Sequence, residues 1–371
     1  MLNRCYERSV DLIKRFFQIL FIVGVTVVLF DILYSSVIKP IITQERLLPQ
    51  DYLSVSAAFA SNIRVGWNLG NSLDAVRWSD SLGDRTQQMM EQYWGNPLVT
   101  QALIQAVYDA GFNAIRIPVT WRHFTGSSPT YEISDELMSR VKQVVDYAIG
   151  LNMYVIINVH HDGHREGWLR AAPGVRRQGL ARLEMIWRQI ANAFIDYDER
   201  MIFEGMNEVV RRTGEWNTGT RQSRAIINEY NQRFVETVRA TGGNNRYRFL
   251  IIKTYAGFAI PAVFDGFVIP DDDRLILSVH MYSTDAGSIA YNLQHLYKNF
   301  VKKGVPVFIG EWGTQDTDDI DRVAHAAMFT ALAARYNITT FWWDNGGSHR
   351  LLNRETLEWD FPDIFEAIVG N

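Results

Sequence analysis

Eight short apolar runs alternate with stretches of helical period across residues 61–371, and this alternation predicts an α/β fold, a (β/α)8 barrel. Two further observations agree. The runs are apolar on both faces, the pattern of parallel strands covered by helices. Nearly every run also ends in a polar side chain, at the strand ends where this fold collects its functional groups.

The first strand spans 63–69 and ends at Gly70-Asn71. A loop with Trp78 and Trp94-Gly95-Asn96-Pro97 leads to a helix over 99–110, whose apolar positions Leu103, Ile104, Val107 and Ala110 share one face. Gly111 stops it. Strand 114–119, helix 134–151, strand 154–158 and helix 180–194 follow, then strand 201–206 and helix 223–240. Strands 248–253 and 275–279 come next, then a helix over 290–301 closed by Gly304. Strand 307–309, helix 321–336, strand 339–343 and helix 362–369 complete the series. No fixed repeat and no low-complexity stretch interrupts it.

Composition narrows the partners. The apolar fraction of 47% is globular, and 13% aromatic with eleven tryptophans leaves rings for stacking surfaces as well as core. A net charge of −4 argues against nucleic acid. Cys5 is the lone cysteine, so no disulfide forms within the chain. At the amino terminus Arg4, Arg8, Lys14 and Arg15 precede an apolar run over 16–38, broken by Asp31. Its 23 residues suit either a signal or a membrane anchor, and the basic side would stay in the cytoplasm. Residues 1–60 are thus read as a signal or anchor segment with a tether from 39, and 61–371 as one exported catalytic domain. No second folded domain is legible in this sequence. A monomer is expected.

The chemistry centres on Phe203-Glu204-Gly205-Met206-Asn207-Glu208 and, 103 positions after Glu208, on Ile309-Gly310-Glu311-Trp312-Gly313. Each is an apolar run ending in a glutamate. Two carboxyls at the mouth of one barrel are the equipment that hydrolysis of a glycosidic bond requires. Other strand ends deliver Asn68, Asn71, Arg116, Asn158, His160, His161, His280, Tyr282 and Trp343.

Eight ordered segments resemble glycoside hydrolase family 5, the cellulase-type enzymes. They run from Gly66-Trp67-Asn68-Leu69-Gly70-Asn71 through Trp94-Gly95-Asn96-Pro97, Asn113-Ala114-Ile115-Arg116-Ile117-Pro118-Val119 and Asn158-Val159-His160-His161. Gly205-Met206-Asn207-Glu208, Val279-His280-Met281-Tyr282, Ile309-Gly310-Glu311-Trp312-Gly313 and Trp342-Trp343-Asp344-Asn345 continue the series. The resemblance implies Glu208 as acid/base after the fourth strand and Glu311 as nucleophile on the seventh. It implies Arg116 beneath Glu311, Asn207 on the sugar 2-hydroxyl, and Tyr282 donating to the nucleophile. It places His160, His161 and His280 around hydroxyls or carboxylates, and Trp343, Asn71 and Trp94 against sugar. Trp78, Trp121 and Trp168 either line subsites or pack loops. The implied reaction is retaining, internal cleavage of β-1,4-glucan, with xyloglucan, mixed-linkage glucan, mannan or xylan as alternatives, and no cofactor. A rival reading takes His160, His161, Asp162 and His164 as metal ligands of another barrel hydrolase, which would leave both glutamates and Arg116 idle.

Overall fold

The computed structural model describes residues 54–78, 84–164 and 167–370. The apolar run over 16–38 and most of the expected tether lie outside them. Among the described residues no helix is long and apolar enough to cross a membrane.

Eight parallel strands close into a barrel in sequence order. They are β1 (Gly66–Leu69), β2 (Ala114–Ile117), β3 (Tyr154–Asn158) and β4 (Met201–Glu204), then β5 (Leu250–Phe258), β6 (Leu275–His280), β7 (Val307–Trp312) and β8 (Thr339–Asp344). The helices are α1 (Val55–Ala60), α2 (Gln87–Glu91), α3 (Gln101–Asp109), α4 (Asp135–Ile149), α5 (Arg176–Ala193), α6 (Arg221–Ala240), α7 (Ala286–Asn299), α8 (Arg322–Arg335) and α9 (Pro362–Val369). Hydroxyl or carboxylate caps start most of the long ones, with Thr100, Ser134, Asp285 and Asp321 each accepting from the backbone three residues on. Thr220 and Ser223 cap each other reciprocally.

Several element ends lie two to four residues from expectation, and three differences matter for the architecture. β5 runs on to Phe258, past the expected end at Lys253, because a bulge carries the strand through Ala256 and Gly257, both at positive φ (55° and 65°). β7 runs on to Trp312, so Glu311 sits within a strand, paired with His280 across an irregularity. The tether reading of 39–60 fails at its end. Ser54 caps α1 and donates to the Gly304 carbonyl, and the Phe59 ring stacks on Phe249 with centroids 3.6 Å apart. The folded unit therefore includes residues ahead of Ser61.

Side chains two apart along a strand share a face, so a barrel interior is filled in layers. The lower layer holds Ala114, Ile156, Ile202, Ile251, Ile276, Phe308 and Phe341, closed from below by Phe59, Ala60 and Ile63. A side chain at Gly66 would collide with the Phe341 ring, which fills that place. Two residues further along each strand stand Asn68, Arg116, Asn158, Glu204, Lys253, Ser278, Gly310 and Trp343. An apolar floor thus carries a buried polar layer, and the open mouth lies above it.

Candidate active site

Arg116 is the hub of that layer and is 1% exposed. Its Nε donates to Glu204 Oε2 at 2.7 Å and its Nη2 to Asn207 Oδ1 at 2.8 Å. Its Nη1 donates to Asn68 Oδ1 at 3.0 Å and to Glu311 Oε1 at 2.7 Å. Asn68 in turn donates to the carbonyls of Gly310, Phe341 and Trp342, fixing β7 and β8 around the guanidinium. Glu204 also accepts from Asn158 at 2.9 Å and from the Lys253 ammonium at 3.2 Å. Burial alone would raise the Glu204 carboxyl, but Arg116 and Lys253 overcome it and hold the group below its usual range.

Glu208 follows β4 and faces Glu311 across the mouth. One oxygen of each, with a ring nitrogen of His280, lies within 4.8 Å of the others. His280 Nδ1 is 2.7 Å from Glu208 Oε1 and 3.4 Å from Glu311 Oε2. Burial, Lys253 and Arg116 hold the imidazole well below its usual pKa, so it is neutral and makes a hydrogen bond rather than an ion pair. Tyr282 donates to Glu311 Oε2 at 3.0 Å. Burial and then the Glu311 charge push the Glu208 carboxyl up to about 8. Burial raises Glu311 too, while Arg116, Lys253 and Tyr282 pull it back. Of the pair Glu208 keeps the proton, since Glu311 has a guanidinium and a phenol fixed on it. Backbone geometry brings Glu208 and His280 close to β5: a Cβ at Gly257 would stand 3.4 Å from Glu208 Cγ and 3.5 Å from the His280 ring.

The other expected residues gather at the same mouth. His160 is buried and neutral, its pKa depressed chiefly by burial and then by His161. Asn158 Nδ2 lies 3.1 Å from its Nδ1. The Asn158 side-chain oxygen is engaged by the Val119 N–H, so its amide nitrogen donates to Nδ1; this contact is shorter than the 3.4 Å between the Asn207 amide nitrogen and Nε2, and the ring proton sits on Nε2. The His160 ring lies parallel to Trp343 at 5.7 Å, and Trp343 is only 8% exposed. His161, Trp78 and Trp94 form an aromatic group with centroids 5.4–5.8 Å apart. Asn71 takes positive φ (59°), and its carbonyl accepts from Asn96. Trp121 is a core residue at 0% exposure, and Trp168 packs a loop, donating to Asp162 and lying under Arg182.

The rival metal reading loses its carboxylate. Asp162 accepts from the Trp121 N–H and the Trp168 indole and serves the loop. Asp74 stands nearer the histidines, 3.5 Å from His161 Nε2 and 4.0 Å from His160 Nε2. With the His160 ring proton on Nε2, however, the nitrogen facing Asp74 has no free lone pair for an ion.

Glu204, Lys253 and Asp74 were not singled out from the sequence. Glu204 stands in the shadow of Asn207-Glu208. Lys253 after three aliphatic residues reads as a strand end. Counting two positions up from Ile202 and Ile251 would have found both.

A closed parallel barrel with two carboxyl groups facing each other at its mouth carries the equipment of a glycoside hydrolase. The sequence places it within one such class: residues 79–349 match the family model described as Cellulase (glycosyl hydrolase family 5). The chain belongs to glycosyl hydrolase family 5. It is 39% identical over 336 residues to the cellulase/esterase CelE of Acetivibrio thermocellus, with 83% of this chain and 39% of that protein covered. It thus spans about two fifths of the length of that relative. Among solved structures, a broad-specificity GH5-4 endoglucanase from Ruminococcus champanellensis, bound to cellotriose, superposes with a TM-score of 0.80 at 39% identity, covering 85% of this chain and 98% of that one. A metagenomic xyloglucan-specific endo-β-1,4-glucanase, XEG5A, superposes with a TM-score of 0.79 at 36% identity, covering 85% and 98%.

Proposed function

We propose that this protein is a retaining endo-β-1,4-glucanase acting by double displacement. The observation that carries the reading is the glutamate pair: two carboxyl groups with oxygens within 4.8 Å, in surroundings that push their proton affinities apart. Glu311, held by Arg116 and Tyr282, attacks the anomeric carbon. Glu208 gives its proton to the departing glycosidic oxygen and then takes one from the water that releases the glycosyl-enzyme. Asn207, fixed through Oδ1 by Arg116 and with its amide nitrogen at a long 3.4 Å from His160 Nε2, presents that nitrogen to the sugar 2-hydroxyl. Trp343, Asn71, Trp94 and Trp78 offer apolar faces and polar groups for glucosyl units along the mouth.

A cellulose-type glucan is the lead substrate, supported by the family and by the cellotriose bound in the first structure named above. A second reading, xyloglucan, is favoured by the likeness to the xyloglucan-specific enzyme. The test is release of reducing ends from carboxymethylcellulose, mixed-linkage glucan, xyloglucan, mannan and xylan, with Glu311→Gln beside the wild type. Highest turnover on the first, a rapid fall in viscosity and loss of all activity in the variant are expected. Mannan or xylan as the best substrate would overturn the assignment. We further infer that residues 16–38 direct export of the catalytic unit, as their basic start and apolar length suggest. Fractionation of a native host expressing the full chain checks this, and a purely cytosolic signal would refute it.

A further inference from the structure

Lys253 is fully buried, and its three N–H groups meet three acceptors: Glu204 Oε1 at 3.2 Å, Ser278 Oγ at 3.2 Å and His280 Nε2 at 2.7 Å. We propose that Lys253 is a positioning residue of the reaction: its ammonium fixes His280 as the tautomer that donates from Nδ1 to Glu208, and it supplies the second cation of the carboxylate cluster. The inference deepens the reading of Glu208 as the acid and rests on it.

The tautomer follows from lone pairs. An ammonium has none, so at 2.7 Å His280 Nε2 must accept. The proton of the neutral ring is then on Nδ1, 2.7 Å from Glu208 Oε1. A neutral donor suits both states of Glu208. With the carboxylate it makes a charge-assisted bond. With the acid it holds Oε1 as the carbonyl oxygen and leaves the proton on Oε2, free for a leaving group.

The charge count gives the second role. Arg116 on β2 and Lys253 on β5 are the cations, and Glu204, Glu208 and Glu311 are the acids. His160 and His280 are neutral, and Tyr282 faces the cluster as a donor. Two cations balance two carboxylates, and the third acid carries a proton. Among the described residues, Glu204 touches both cations and Glu311 touches Arg116, whereas Glu208 is hydrogen-bonded to the imidazole and to neither cation. The proton therefore rests on Glu208. Burial works against the ammonium and lowers its pKa, while Glu204 and Glu311 pull the other way.

Two measurements test this. In the wild-type protein, long-range proton–nitrogen NMR of the His280 ring, assigned against His280→Asn, should show a protonated Nδ1 and a bare Nε2 at neutral pH. A protonated Nε2 would mean that a neutral amine accepts from the ring, and it would overturn the proposal, as would an imidazolium. In Lys253→Met, loss of a cation should raise both limbs of the kcat/KM profile by about one pH unit or more, with a fall in kcat. Lys253→Gln, which restores an N–H for Nε2 without charge, should keep the shift and recover part of kcat. A folded Lys253→Met with the wild-type profile would overturn the proposal. If neither variant folds, the ring spectrum still decides. It also stands apart from the assigned activity, which fails separately if the wild type cleaves no glucan.

Discussion

At Arg116 a single guanidinium is divided among Glu204, Glu311, Asn68 and Asn207, a fork no other side chain reproduces. Arg116→Ala should therefore cost at least about 10²-fold in turnover on carboxymethylcellulose. Its acid limb should also move to higher pH, because Glu311 loses the charge that keeps it ionised. Near-wild-type turnover would reduce Arg116 to a structural ion pair. Glu208 makes the opposite limb. A general acid works protonated, and its pKa lies at about 8, so kcat/KM should be full below that pH and fall as pH rises through it. A profile already falling near pH 5 would show that Glu208 does not hold its proton as these surroundings require.

At the scale of elements, the strands were legible because each is a short aliphatic run, and the helices because their apolar residues recur every three or four positions. What stayed hidden has physical causes. β5 and β7 continue through residues that look like ends, Lys253-Thr254 and Gly310-Glu311, since a closed barrel supplies neighbours that keep the ladder going. The two glutamates and Arg116 stood out as charges at strand ends. Glu204 and Lys253 did not, because the partners that allow their burial lie on other strands, far off in sequence. α1 gave no signal at all: its six residues are too few for a period, and its partner Phe249 lies 190 positions on. That short helix yields its own prediction. Phe59→Ala should destabilise the folded unit by about 3–5 kcal/mol, lowering Tm by roughly 5–8 °C, without changing turnover at low temperature. A chain beginning at Ser61 should melt at least as early. An unchanged melting curve for either would show that α1 is ornamental to the barrel floor.

The whole molecule sets the distance on which the stereochemistry depends. Glu208 and Glu311 are 103 positions apart in the chain, and the closed barrel, which carries β4 round to β7 through β5 and β6, makes them neighbours. A water-activating pair needs its carboxyl groups about 6.5–9.5 Å apart, and a nucleophile with its acid about 5–5.5 Å. Oxygens within 4.8 Å leave no room for a water between Glu311 and the anomeric carbon. The surroundings agree, since Arg116 and Tyr282 each take one oxygen of Glu311 and aim it, which a base acting through mobile water does not need. The first sugar released from a cello-oligosaccharide should therefore keep the β configuration. Proton NMR of the anomeric region within the first minutes, before mutarotation, reads this directly: a β signal rising first is expected. An α signal rising first would mean single displacement, and Glu311 would then be a base rather than a nucleophile.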